Sequence, residues 1–220
     1  MNGLEVRRGK VRSGYPELER ALSIGTGIVT IRCAHAQWLF DLVANMMVRN
    51  YSAGRRILYM HWVDYHERYW SFDYDRVLGI AKRAGADAEG LSESVIFLRA
   101  FSRDNVEVEE NWKRTAEAGK FDLIILDSVG ELYSEKKEGS KAMTYSIGKF
   151  SQLCTRNDCV GIVLDRMGGR LHNYLAHVSS VILEIEVSRE IAFTILKHPC
   201  MAESSEAFPR DGQYRLARWL

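Results

Sequence analysis

The sequence predicts an α/β fold: a mainly parallel β-sheet flanked by helices and closed by antiparallel strands at its C-terminal side. Three observations carry this. Short β-branched apolar runs recur along the first three quarters of the chain, each followed by a helical period, which is the pattern of parallel strands buried on both faces. Beyond Ser179 strict alternation replaces that period. The length of 220 residues with 46% hydrophobic content fills one core and is short for two ordinary domains.

The strand-like runs are residues 28–31, 57–60, 95–98, 123–126 and 160–164. Between the first two, Leu39, Leu42, Val43, Met46 and Met47 stand at helical spacing, and Gly54 supplies a stop. Residues 74–84 repeat the helical theme and close at Gly85; residues 105–118 close at Gly119, and residues 140–156 form a further helix. Runs 181–187 and 191–197, separated by Ser188, Arg189 and Glu190, read as a hairpin, and residues 214–219 as a further edge strand.

Composition narrows the function. Thirty Lys and Arg against 29 Asp and Glu give a formal charge of +1, which excludes a wholesale electrostatic grip on nucleic acid or an anionic membrane. Three prolines and no Ser/Gly-rich tract speak against a disordered tail. No apolar run approaches the roughly 20 residues of a bilayer span. The basic start MNGLEVRRGKVRSG has no apolar segment behind it, so a cytoplasmic location is expected. Cys33, Cys154, Cys159 and Cys200 contain no C-x-x-C pair. Cys33 and His35 stand close together, but the expectation is no metal site and small buried apolar thiols in a reducing compartment.

Several segments follow one another in the order of a known family. Ser13-Gly14-Tyr15-Pro16-Glu17-Leu18 is followed by Gly25-Thr26-Gly27 and a strand; Arg99-Ala100-Phe101 precedes a polar helix start. Phe121-Asp122-Leu123-Ile124-Ile125-Leu126-Asp127-Ser128 is similar to a Walker B strand. Leu175-Ala176-His177 and His198-Pro199-Cys200-Met201-Ala202-Glu203 come later. On these segments, collinear over roughly residues 13–212, the chain resembles the RecA/RadA recombinase family, closest to its archaeal and eukaryotic branch. The resemblance implies one RecA-like core domain over residues 1–220, of the P-loop ATPase type, without the separate helical DNA-binding domain that full-length relatives carry in front.

The departures from that family concern one mechanism. A phosphate loop, G-x-x-x-x-G-K-[ST], needs glycines so that backbone amides face the phosphates, a lysine for the β/γ charge and a hydroxyl for magnesium. The corresponding segment is Arg32-Cys33-Ala34-His35-Ala36-Gln37-Trp38-Leu39, which lacks glycine and lysine; Trp38 and Leu39 fall where lysine and Ser/Thr belong. No lysine occurs between Lys10 and Lys82, and Arg32 precedes the turn. The glutamate that orients the attacking water is expected just beyond the second strand; Val63 stands there, with Asp64 one residue on. After the fifth strand, Asp165-Arg166-Met167-Gly168-Gly169-Arg170 replaces the family's γ-phosphate sensor and long DNA loop. The expectation is a pseudo-ATPase with no catalytic residue and no ATP or magnesium cofactor. Asp127 and Ser128 are then relics of the nucleotide site, and a plain acid ending a buried strand explains Asp127 equally.

For the remaining function, residues 61–74 hold six Phe, Trp or Tyr side chains in fourteen positions, against 10% over the whole chain. Trp62, Tyr65, Tyr69 and Trp70 are candidate partner-interface anchors, because large amphipathic rings bury much area at low rotamer cost. Filling of the vacated nucleotide pocket, and base stacking, stay open as alternatives. Candidate DNA contacts are Arg7 and Arg8 at the start, Lys136, Lys137 and Lys141 after the Walker B strand, and Arg166 and Arg170 at the shortened loop. Together they form a modest, salt-sensitive phosphate face, although Glu135 and Glu138 dilute the middle group into what reads as a solvated polar loop. Six histidines lie beside no recognisable nucleophile.

The function expected from the resemblance is a non-catalytic recombinase paralogue. Its partner would be a RecA/RadA-type recombinase or sister paralogue, and single-stranded DNA a further ligand, in homologous recombination and DNA repair, with no membrane association. Two rivals remain: an ATPase with an atypical loop in which Arg32 and Asp127 replace the normal pair, and a RecA-like regulatory scaffold unrelated to DNA.

Overall fold

A computed structural model describes residues 11–61, 73–99, 105–117, 119–127, 136–165, 173–188, 190–201 and 204–209. The elements run α1 (Pro16–Ala21), β1 (Gly27–Cys33), α2 (Ala36–Tyr51), β2 (Ile57–His61), α3 (Tyr74–Arg83), α4 (Ala88–Ser94), β3 (Val95–Arg99), α5 (Asn105–Glu117), β4 (Leu123–Asp127), α6 (Lys136–Asn157), β5 (Val160–Asp165), α7 (Asn173–Val178), β6 (Val181–Val187), β7 (Glu190–Lys197) and β8 (Ser204–Pro209).

The strands form one sheet in the order β3-β2-β4-β5-β1-β6-β7-β8. Pairing is parallel from β3 through β6 and antiparallel for β6-β7 and β7-β8. Thus β1 lies at the middle, and the chain runs from it to β2 past β4 and β5, then returns to its other side with β6. All five parallel strands expected from apolar runs are present, as is the hairpin.

Alternation along the strands sorts side chains between two cores. Val29, Ile31, Tyr59, Ile125 and Ile162 point to one face, where α1 to α4 bring Leu18, Leu39, Val77 and Leu91. Ile28, Leu58, Met60, Ile124 and Val163 point to the other, where α5, α6 and α7 bring Trp112, Phe150 and Leu175. Three of the helices begin on a side-chain cap. His35 Nδ1 accepts from Trp38 N–H for α2, Asp73 from Arg76 N–H for α3, and Asp87 from Glu89 N–H for α4. After α2 the chain turns through Gly54, whose φ of 75° suits a residue without Cβ.

Four elements were not expected from sequence: α1, α4, α7 and β8. The three helices have six or seven residues, too short to display a helical period, and the polar strand β8 (SSEAFP) owes its form to its pairing with β7. Helix α6 starts at Lys136, before the expected residue 140, so the stretch read as a polar loop around Lys136, Lys137 and Lys141 is helical. The expected edge strand 214–219 lies outside the described residues.

Gly161 sits in β5 beneath α6. A Cβ there would meet the Cys154 sulfur and come within 2.7 Å of Phe150 Cε1. Gly161→Ala is therefore expected to destabilise the fold by about 1–3 kcal/mol through overpacking, read as a lower urea midpoint at unchanged slope.

Candidate functional site

In sheets of this kind ligands bind at the carboxyl ends of the strands, where successive connections leave for opposite faces. Here α2 follows β1 on one face while α6 and α7 follow β4 and β5 on the other. The strand ends nearest this divergence carry Cys33, Asp127 and Asp165.

The turn from β1 to α2 contains only Ala34 and His35. His35 closes it: Nδ1 accepts from Trp38 N–H at 3.2 Å, and its carbonyl accepts from Leu39 N–H at 3.0 Å. The first turn of α2 thus satisfies an amide of its own with a side chain, where a phosphate loop would leave amides facing outward. Trp38 and Leu39 are both core residues. Trp38 lies 5.8 Å from the ring of Tyr15 and 6.2 Å from that of Phe193, which are themselves 5.5 Å apart. This three-ring cluster joins the chain before α1, the start of α2 and strand β7. The sequence reading did not join Tyr15 and Phe193 to Trp38, because nothing local links residues so far apart.

Arg32 and Asp127 are not brought together. Ile31 and Cys33 belong to the α2 side of the sheet, so Arg32 points to the α6 side. There its Nε donates to Asp165 Oδ2 at 3.1 Å, and Nη1 lies 3.6 Å from Glu184 Oε1. The Arg32 and Asp165 side chains are 10% and 5% exposed, so the pair is buried, while Glu184 at 40% reaches water. Asp127 lies on the α2 side with Tyr59, whose hydroxyl donates to Asp127 Oδ2. Strand β5 separates β4 from β1. Asp127 is thus a buried acid held by a phenol, and Arg32 a cation already occupied by two carboxylates on the opposite face. Tyr59 and Glu184 were also missed; Tyr59 reads as one more apolar residue in its strand.

A second ion pair braces this corner. Arg76 on α3 meets Asp41 on α2 with contacts of 2.5 and 2.7 Å, and its guanidinium lies 5.6 Å from the Phe40 ring centroid. Burial pushes the Asp41 carboxyl above its ordinary range, and Arg76 opposes that rise.

Of the other residues singled out by sequence, Lys136, Lys137 and Lys141 are placed on the N-terminal part of α6, which follows β4. Ser128, Arg166, Arg170, Arg7, Arg8, Trp62, Tyr65, Tyr69 and Trp70 lie outside the described residues. Among the described residues no group of three His, Cys, Asp or Glu is placed to hold a metal ion, and no helix is long and apolar enough to cross a membrane.

Burial also grades the cysteines. Cys33, Cys154 and Cys159 are buried and Cys200 is exposed. Burial raises the thiols of Cys33 and, further, Cys154 above the ordinary range, which lowers their thiolate fraction. A bulky alkylating reagent at neutral pH is expected to label Cys200 rapidly and the other three only after denaturation, read by peptide mass mapping.

The strand order, the parallel-to-antiparallel change and the helices on both faces define the RecA-like recombinase fold. Among solved structures, the crystal structure of the RadB recombinase is similar, with a TM-score of 0.68 at 15% sequence identity, covering 90% of this chain and 95% of that one. No protein-family model matches the chain, and no curated protein matches it.

Proposed function

We propose that the chain is a non-catalytic, archaeal-type recombinase paralogue with a degenerate Walker A segment. It works in the cytoplasm by binding a RecA/RadA-type recombinase or a sister paralogue, with single-stranded DNA as a further ligand, and so modulates homologous recombination and repair. The observation that carries the loss of ATP chemistry is the two-residue turn between β1 and α2, closed by His35 and backed by the buried Trp38. A phosphate needs free amides and a cation at that place; this turn offers a capped amide and an indole. The fold shared with the RadB recombinase supports the setting in recombination.

The occupied state of Arg32 argues against the atypical ATPase, because Asp165 and Glu184 already use the cation that reading requires. Thermal unfolding separates the two. The proposal expects the same melting temperature with and without magnesium-ATP or ADP. A binder at a hundredfold excess of ligand over its dissociation constant would gain roughly 2.7 kcal/mol. For the partner, co-purification with the host's main recombinase is the direct measurement, and Trp62→Ala with Trp70→Ala should weaken the complex. DNA binding, read by anisotropy of labelled single strands, should fall steeply with salt; no salt-sensitive binding would favour the scaffold unrelated to DNA.

A further inference from the structure

The C-terminal end of α6 holds two thiols for which the binding role above has no use. The helix ends in a Schellman turn: Asp158 N–H donates to Thr155 O at 3.1 Å and Cys159 N–H to Cys154 O at 3.2 Å, while Asp158 takes a left-handed φ of 52°. Such a turn brings the third residue before the helix cap against the second residue beyond it, usually as an apolar contact. Here those residues are Cys154 and Cys159. They are 2% and 4% exposed and belong to the same core cluster beneath α6. Gly161 leaves the space that the Cys154 sulfur occupies, since a Cβ there would run into it. Cys33 belongs to the core on the other side of the sheet, so it is not a competing partner.

We propose that Cys154 and Cys159 are a dithiol pair which a small-molecule disulfide, such as glutathione disulfide, converts into an intramolecular disulfide. One cysteine, as thiolate, attacks a sulfur of glutathione disulfide; that S–S bond breaks and one glutathione thiolate leaves. The second cysteine then attacks the protein sulfur of the mixed disulfide and expels the second glutathione. The two protein thiols are oxidised, glutathione disulfide is reduced to two glutathione thiols, and the two protons pass to them. The new bond ties the end of α6 to the residue preceding β5. Burial makes the exchange depend on transient opening of the helix end, so the equilibrium rather than the rate defines the pair.

The test is equilibration of the full chain with glutathione redox buffers, under native conditions and in concentrated urea, followed by acid quench and trypsin. Arg156 lies between the two cysteines, so cleavage there leaves peptides joined only through a Cys154–Cys159 disulfide. If the folded turn preorganises the pair, its effective concentration should exceed that of the unfolded chain by roughly tenfold or more. Cys200→Ser should retain the linked peptides and Cys159→Ser should lose them. A native value equal to or below the unfolded one, or linkage of Cys154 to Cys33 or Cys200 instead, would overturn the proposal. The native-to-urea comparison needs no variant and stands even if Cys159→Ser fails to fold.

Discussion

Trp38→Ala should lower the stability of the chain by about 3–5 kcal/mol, the range for removing a large buried aromatic. Trp38 is 8% exposed and its ring packs against both Tyr15 and Phe193, so its loss opens a cavity lined by separate segments of the chain. Equilibrium urea unfolding followed by far-UV circular dichroism checks it, with a lower midpoint at unchanged slope. The variant also probes function. If Trp38 merely shielded a working nucleotide site, its removal would cost little and would reveal stabilisation by magnesium-ATP. The capped turn beside it predicts the reverse, a large loss of stability that ATP does not restore, because the segment from Arg32 to Leu39 contains no glycine or lysine.

Arg32→Met should be comparably damaging, by about 3–5 kcal/mol, since removing one member of a buried ion pair takes away the charge that faces the other. Methionine keeps much of the length of the side chain and removes the guanidinium from Asp165, whose side chain is 5% exposed. Glu184, partly exposed, can turn to water; Asp165 has less freedom. One further measurement distinguishes this from simple loss of packing. Adding Asp165→Asn to Arg32→Met should recover part of the loss, because the carboxylate that faced the guanidinium is then neutral. A double variant no better than the single one would show that Arg32 contributes packing rather than charge.

These two positions also show how far a sequence reading reaches. The five parallel strands were legible because burial on both faces leaves continuous β-branched runs, and α2, α3, α5 and the body of α6 because each is long enough to show its period. The short elements α1, α4 and α7 were not, since one or two turns carry no periodicity. The lack of glycine and lysine after β1 was equally visible, being a matter of residue type. The partner of Arg32 was not. As the nearest cation, Arg32 looked like a substitute for the missing lysine, whereas alternation in β1 turns it to the opposite face from Asp127, and the parallel register sets it beside Asp165 and Glu184.

What the sequence determined alone is therefore local: which segments become strands and helices, and which chemical groups the β1–α2 turn lacks. Both depend on backbone propensity, hydrophobic period and residue identity within a few positions. Only the tertiary structure decided which groups meet. The order β3-β2-β4-β5-β1-β6 and its register bring Arg32 to residues 133 and 152 positions away, gather Tyr15, Trp38 and Phe193 into one cluster, and set Phe150 and Cys154 of α6 over Gly161. Those meetings follow from sheet pairing and from packing of helices on its two faces, interactions between segments distant in the chain that no short window contains.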